Sequence, residues 1–144
     1  MEYRQRCSSS GVTVVLRKPS AADQTPSIDD LAMWAEIAFQ AFPFPKAWQT
    51  VSEVICVTPN YPGSPGQFQS PLFWSGFTDV SQPKSVIWLN GQVANYKLLL
   101  HELGHAVQRV VQENVAESFK NGFYNPDDKM FTVERAFWRK MVGG

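Results

Sequence analysis

Histidine and cysteine are scarce in this chain, and neither sign of charge is in surplus. The 13 Lys+Arg balance the 13 Asp+Glu, so the formal net charge is zero. Proteins that read nucleic acid carry a basic excess to neutralise phosphates, and none is present here. Two cysteines, Cys7 and Cys56, are too few for a Cys-rich zinc module or a dense disulfide framework. They read as two unpaired thiols, one on a mobile end and one inside a strand. No apolar run approaches the roughly 18 residues of a membrane span. The segment Met1 to Ser10 carries Arg4 and Arg6 with no apolar stretch behind them, so it does not read as a secretory signal. The expected location is the cytoplasm, or outside the cell by a signal-independent route, and the chain can equally be cut from a longer precursor. Internal repeats and low-complexity segments are absent.

What the sequence does have is apolar material. The hydrophobic share is 44%, with 10 Phe, 5 Trp and 4 Tyr, which suffices for a real core. At 144 residues the chain fits a single domain. Gly11 to Arg17 is β-branched and reads as a strand, followed by a loop from Lys18 to Pro26. Ser27 and Asp30 form a start resembling a capping box. Leu31, Trp34, Ala35, Ala38, Phe39 and Phe42 recur at helical spacing, predicting an amphipathic helix over 28–42 that ends at Pro43 and Pro45. Val51 to Thr58 reads as a buried strand. Pro59 to Pro71 is a proline-rich loop, long for a compact domain, and such loops are often functional or mobile. Phe73 to Val80 and Ser85 to Leu89 read as a strand hairpin joined at Ser81–Lys84, and Asn90-Gly91 as a turn. A helix is predicted from Val93 to about Val110. The rest, to Gly144, reads as mostly helical, with breaks at Asn121-Gly122 and Asn125-Pro126. Strands come first and helices gather at the end, which suits an α+β domain: sheet and backing helix over 1–92, further helices over 93–144.

Both histidines fall in one motif, His101-Glu102-Leu103-Gly104-His105. Residues i and i+4 of a helix share a face, so two imidazoles at this spacing can grip one metal ion. Glu102 lies roughly 100° around from His101, close enough to reach a water in the site without being a ligand. By chance such a motif arises in roughly one protein of this length in a few hundred, but here it sits inside a strong helical pattern. Imidazoles with a carboxylate suit Zn²⁺, and catalytic zinc keeps three protein ligands. No histidine remains for the third. A downstream glutamate is the economical choice, with Glu113, Glu117 and Glu134 as candidates. On an unbroken helix Glu113 would stand roughly 12 Å beyond His105, so the chain must turn between them. No Gly or Pro marks that turn, and spacing alone leaves all three open.

The run from His101 to Gln108 resembles the active-site helix of gluzincin metallopeptidases, the HExxH enzymes whose third ligand is Glu. Downstream, Glu113-Asn-Val-Ala-Glu117-Ser-Phe119 resembles the glutamate helix of small gluzincins and of lethal-factor-like catalytic domains, as does Asn125-Pro126. The metzincin pattern is disfavoured, because Gln108 and Val111 stand at its Gly and His places. The resemblance implies a zincin-like fold: a small twisted sheet, an upstream backing helix, an active-site helix and a helical C-terminal part. It implies zinc held by His101, His105 and Glu113, with Glu117 supporting from behind. It also implies a peptide or protein substrate that adds to an edge strand, within Ser85–Leu89 or its hairpin partner. Phe73, Trp74, Phe77 and Trp88 are then candidates to line side-chain pockets. The expected activity is zinc-dependent endopeptidase, with Glu102 as general base. Tyr96 and Tyr124 are candidate oxyanion donors. Competing expectations are an inactive zinc-binding or interaction domain, and a zinc hydrolase of a non-peptide bond.

Overall fold

Near-continuous burial along three central strands sets the architecture. The computed structural model describes residues 1–41, 48–49 and 51–108. Within them the elements run β1 (Glu2–Arg6), β2 (Thr13–Arg17), α1 (Ile28–Ala41), β3 (Val51–Val57), a 3-10 turn (Gly66–Phe68), β4 (Gly76–Asp79), β5 (Ser85–Asn90) and α2 (Tyr96–Gln108). The five strands form one mixed sheet in the order β1-β2-β3-β5-β4. β2, β3 and β5 are mutually parallel, while β1 and β4 run antiparallel at the two edges. The class is therefore α+β, with two helices among the described residues.

Period-2 alternation puts Val14, Leu16, Val54, Cys56, Ile87 and Leu89 on one face of the sheet. There they meet Leu31, Ala35 and Ala38 of α1 and Leu99, Leu103 and Ala106 of α2 in the main core. The opposite face carries Val15, Ile55 and Val57, closed by Phe68 with Phe77 and Trp88 packed against it. The proline-rich segment expected to be a functional or mobile loop is thus a packed cover, anchored by the fully buried Phe68. Both faces being covered explains why the parallel strands read as continuous apolar runs.

The capping box before α1 is present in full. The Ser27 N–H donates to Asp30 Oδ2 at 3.2 Å, and the Asp30 N–H donates to Ser27 Oγ at 3.0 Å. Three expectations need correction. The first residues are not a mobile end but the strand β1, whose Glu2 takes Arg17 Nε at 2.8 Å and Arg4 Nε at 3.1 Å. Those guanidiniums hold the Glu2 carboxyl below its ordinary range, Arg17 first. The strand expected from Phe73 begins only at Gly76, because Phe73 has φ of 45°, outside the extended region. The helix expected from Val93 begins at Tyr96. Asn90 first makes a turn, its side-chain oxygen accepting from the Gln92 N–H at 3.0 Å, and Asn95 then caps the helix. The expected helices beyond Val110, and with them Glu113, Glu117, Glu134 and Tyr124, lie outside the described residues.

Cys7 and Cys56 are unpaired, and both are buried. Burial pushes the Cys7 thiol up to about 11, helped by nearby Glu36, and the Cys56 thiol up to about 12 against a small opposing effect of Lys18. The raised values favour the neutral thiol in the folded chain. Their contribution to stability is complete below the ordinary value of 9.0 and is lost as pH rises toward 11 and 12, where only the unfolded chain ionises readily. We expect folded protein at pH 8 to react with a disulfide reagent only at its unfolding rate, and denaturation midpoints to begin falling above about pH 9. Rapid labelling of either thiol in folded protein would contradict this.

Candidate metal centre

The site is built where α2 crosses the edge strand β4. Asn95 fixes the start of α2: its Oδ1 accepts from the Leu98 N–H at 2.9 Å, and its carbonyl from the Leu99 N–H at 3.2 Å. From that start, Leu99, Leu100, Leu103 and Ala106 turn into the core. The rotation of the helix is then set, and His101 and His105 emerge half-buried on the other side.

The two imidazoles converge. His101 Nε2 and His105 Nε2 are 3.1 Å apart, with the rings nearly perpendicular at 87°. At that separation both nitrogens could reach one metal ion. The donor atoms of His101, Glu102 and His105 all lie within 4.8 Å of one another, and this is the one such group found among the described residues. Two half-buried imidazoles with a buried carboxylate beside them make a group that could hold a metal ion.

Glu102 is only 4% exposed, and its surroundings are specific. The Thr78 hydroxyl, on β4, lies 2.9 Å from the Glu102 carbonyl and 3.2 Å from its Oε1, donating to both acceptors. The glycine two positions earlier is required by the strand pairing, since an added Cβ would collide with the Trp88 backbone and only touch Glu102. A Cβ at Gly76 would stand 2.9 Å from the Trp88 carbonyl oxygen and 3.5 Å from Glu102 Cγ. Gly76 and Thr78 share one face of β4. Thr78 ties the Glu102 carboxylate to that strand.

A cleft of about 890 Å³ opens over this junction. Its walls are residues Phe73 to Thr78, at and just before the start of β4, then Val80, and Lys97, Leu98, His101, Glu102 and His105 of α2. The expected triad residues His101, Glu102 and His105 are therefore brought together, while Glu113 lies outside the described residues. β5 is interior to the sheet, so of the two strands considered for the edge it is the hairpin partner, β4, that occupies it. Phe73, Trp74 and Phe77 line the cleft, but Trp88 stacks on Phe77 at 5.9 Å in the second core cluster. Tyr96 packs against the main core and is not among the cleft walls. Gly76 and Thr78 were missed by sequence reasoning. Strand alternation puts them on one face, but nothing in the sequence ties that face to Glu102.

No protein-family model matches the chain, and neither the curated proteins nor the solved structures give a match. No helix among the described residues is long and apolar enough to cross a membrane.

Proposed function

We propose that the chain is a zinc-dependent endopeptidase of gluzincin type, with a zincin-like arrangement of sheet and helices. The observation that carries this reading is the His101–His105 pair, 3.1 Å apart, with Glu102 beside it in a cleft bounded by an antiparallel edge strand. The resemblance of the helix to gluzincin active-site helices supports it. His101 and His105 would hold the metal with a downstream glutamate, Glu113 by the resemblance, or Glu117 or Glu134. When bound, zinc supplies Lewis acidity that brings the pKa of water near neutrality and polarises a carbonyl.

The chain's own groups do the rest. Glu102 accepts a proton from the attacking water and delivers it to the leaving amine. Thr78 holds Oε1 of Glu102, which lines the cleft. The outward N–H and C=O groups of β4 bind the substrate backbone as an added strand.

The direct test is cleavage of a peptide mixture by chain loaded with one equivalent of zinc, followed by a chelator and by zinc restoration. We expect cleavage that disappears with the chelator and returns with zinc. Tight zinc binding without cleavage would favour the inactive binding domain, and hydrolysis confined to esters or other non-peptide bonds would favour the third class.

A finer prediction concerns Thr78. Thr78→Val keeps the shape and removes the hydroxyl, leaving a buried carboxylate oxygen without that donor. Hydrogen bonds to charged groups contribute about 1.5–3 kcal/mol, so we expect kcat to fall about tenfold or more. KM and zinc content should move little, and Thr78→Ser should recover most of the rate. Unchanged kcat in the valine variant would remove Thr78 from the machinery.

A further inference from the structure

The cleft has one wall that the chemistry above leaves unused. Phe73, Trp74 and Val80 line it, and all three are large apolar side chains left in water: 65%, 47% and 47% exposed. Phe73 also sits at φ of 45°. The left-handed region suits Gly or Asn, and a bulky aromatic there is strained. Strain of this kind persists only where surrounding structure imposes it, and it gathers at ligand-binding sites.

Here the imposing bonds are identifiable. The Phe73 N–H donates to the Gln69 carbonyl at 3.0 Å, and the Trp74 N–H donates to the Gln67 carbonyl at 2.8 Å. Asn90 Nδ2, at the end of the neighbouring strand, donates to the Trp74 carbonyl at 3.2 Å. The Trp74 ring is steadied from beneath by Phe77, edge to face at 6.2 Å. The corner is thus a fixed aromatic surface. It immediately precedes β4 and lines the same cleft as the histidine pair.

We propose that the Phe73–Trp74 corner, with Val80 and Leu98, is a specificity wall that selects peptide substrates by a bulky apolar side chain close to the bond to be cut. The inference rests on the peptidase reading. The occupant follows from continuity. An extended peptide added to β4 runs past this corner, and every second side chain of it faces the same way. Removing an aliphatic or aromatic side chain from water against rigid aromatic faces gives discrimination of about 10–200-fold, as for hydrophobic pockets generally. The exposed Phe73 ring does not serve the core, so its persistence in a strained conformation finds its use in the cleft.

The test uses the full chain loaded with zinc and fluorescence-quenched peptides of ten residues that differ at one position, occupied by Leu, Phe, Ala or Asp. At one position near the cleaved bond we expect kcat/KM for Leu or Phe to exceed that for Asp by about tenfold or more. In Phe73→Gly and Trp74→Ala that ratio should shrink to within a few-fold. Phe73→Gly is the sharper variant, because glycine relieves the φ constraint. Its Tm should not fall, whereas a ring needed for folding would lower it. Equal cleavage of all four peptides overturns the specificity wall and leaves the peptidase reading standing. Cleavage of none by the zinc-loaded chain overturns both. Retained selectivity in Phe73→Gly, or a lowered Tm with it, overturns the role given to the ring.

Discussion

Glu102→Gln is expected to leave one zinc bound per chain and to lower peptide hydrolysis by about 10²–10⁴-fold, the range that general acid–base catalysis contributes. The structure makes this substitution unusually clean. Glu102 is buried against β4, and Gln has nearly its volume, so packing on Gly76 is kept. The Thr78 hydroxyl can donate to an amide oxygen as well as to a carboxylate oxygen, so the side chain stays tethered. What is lost is the ability to take a proton at neutral pH. A site that used the metal only for stability or binding would have no need of this carboxylate. Zinc content by elemental analysis and kcat/KM on one cleaved peptide decide it. Undiminished hydrolysis by the glutamine variant would sink the assignment, and loss of zinc with activity would make Glu102 a ligand instead.

The arrangement of this site was legible in the sequence only where one element carries it. His101, Glu102 and His105 lie on a single helix, so their relative placement follows from its pitch, and the 3.1 Å approach of the two Nε2 atoms is what that pitch allows. The Ser27–Asp30 capping box was local in the same way. The strand hairpin over β4 and β5 was visible from its turn and its β-branched residues. β1 was not visible: Glu2, Arg4, Gln5 and Arg6 show no apolar alternation, and the strand exists because β2 offers it an edge and Arg17 and Glu53 offer it charge partners. The start of β4 was misplaced because a left-handed aromatic at Phe73 has no local signature. Its conformation is imposed by Gln67, Gln69 and Asn90, which tertiary packing brings in. The contact of Thr78 with Glu102, 24 residues apart, is of the same kind. Pairings across the sheet cannot be read from a periodicity within one strand.

His101→Ala and His105→Ala should each abolish stoichiometric zinc binding while leaving the metal-free fold intact. Removing one of three protein ligands is expected to weaken zinc by at least the roughly 10–100-fold that loss of a supporting residue already costs. The fold should survive because both imidazoles are half-buried on the cleft side of α2, whereas its anchoring residues Leu99, Leu103 and Ala106 face the core. Alanine is also the better helix former. The separation of the two effects is measurable in one melting experiment. At zinc concentrations of 100 times the dissociation constant, native-state binding adds about 2.7 kcal/mol. For a chain of 144 residues that corresponds to a rise in Tm of about 5–10 °C. The unaltered chain should show that rise and both alanine variants should not, although all three melt together without metal. The same titration identifies the third ligand. Of Glu113→Ala, Glu117→Ala and Glu134→Ala, the one that removes the zinc-dependent rise marks the glutamate that completes the site. A full rise in both histidine variants would mean that zinc binds elsewhere, and the His101–His105 centre would have to be abandoned.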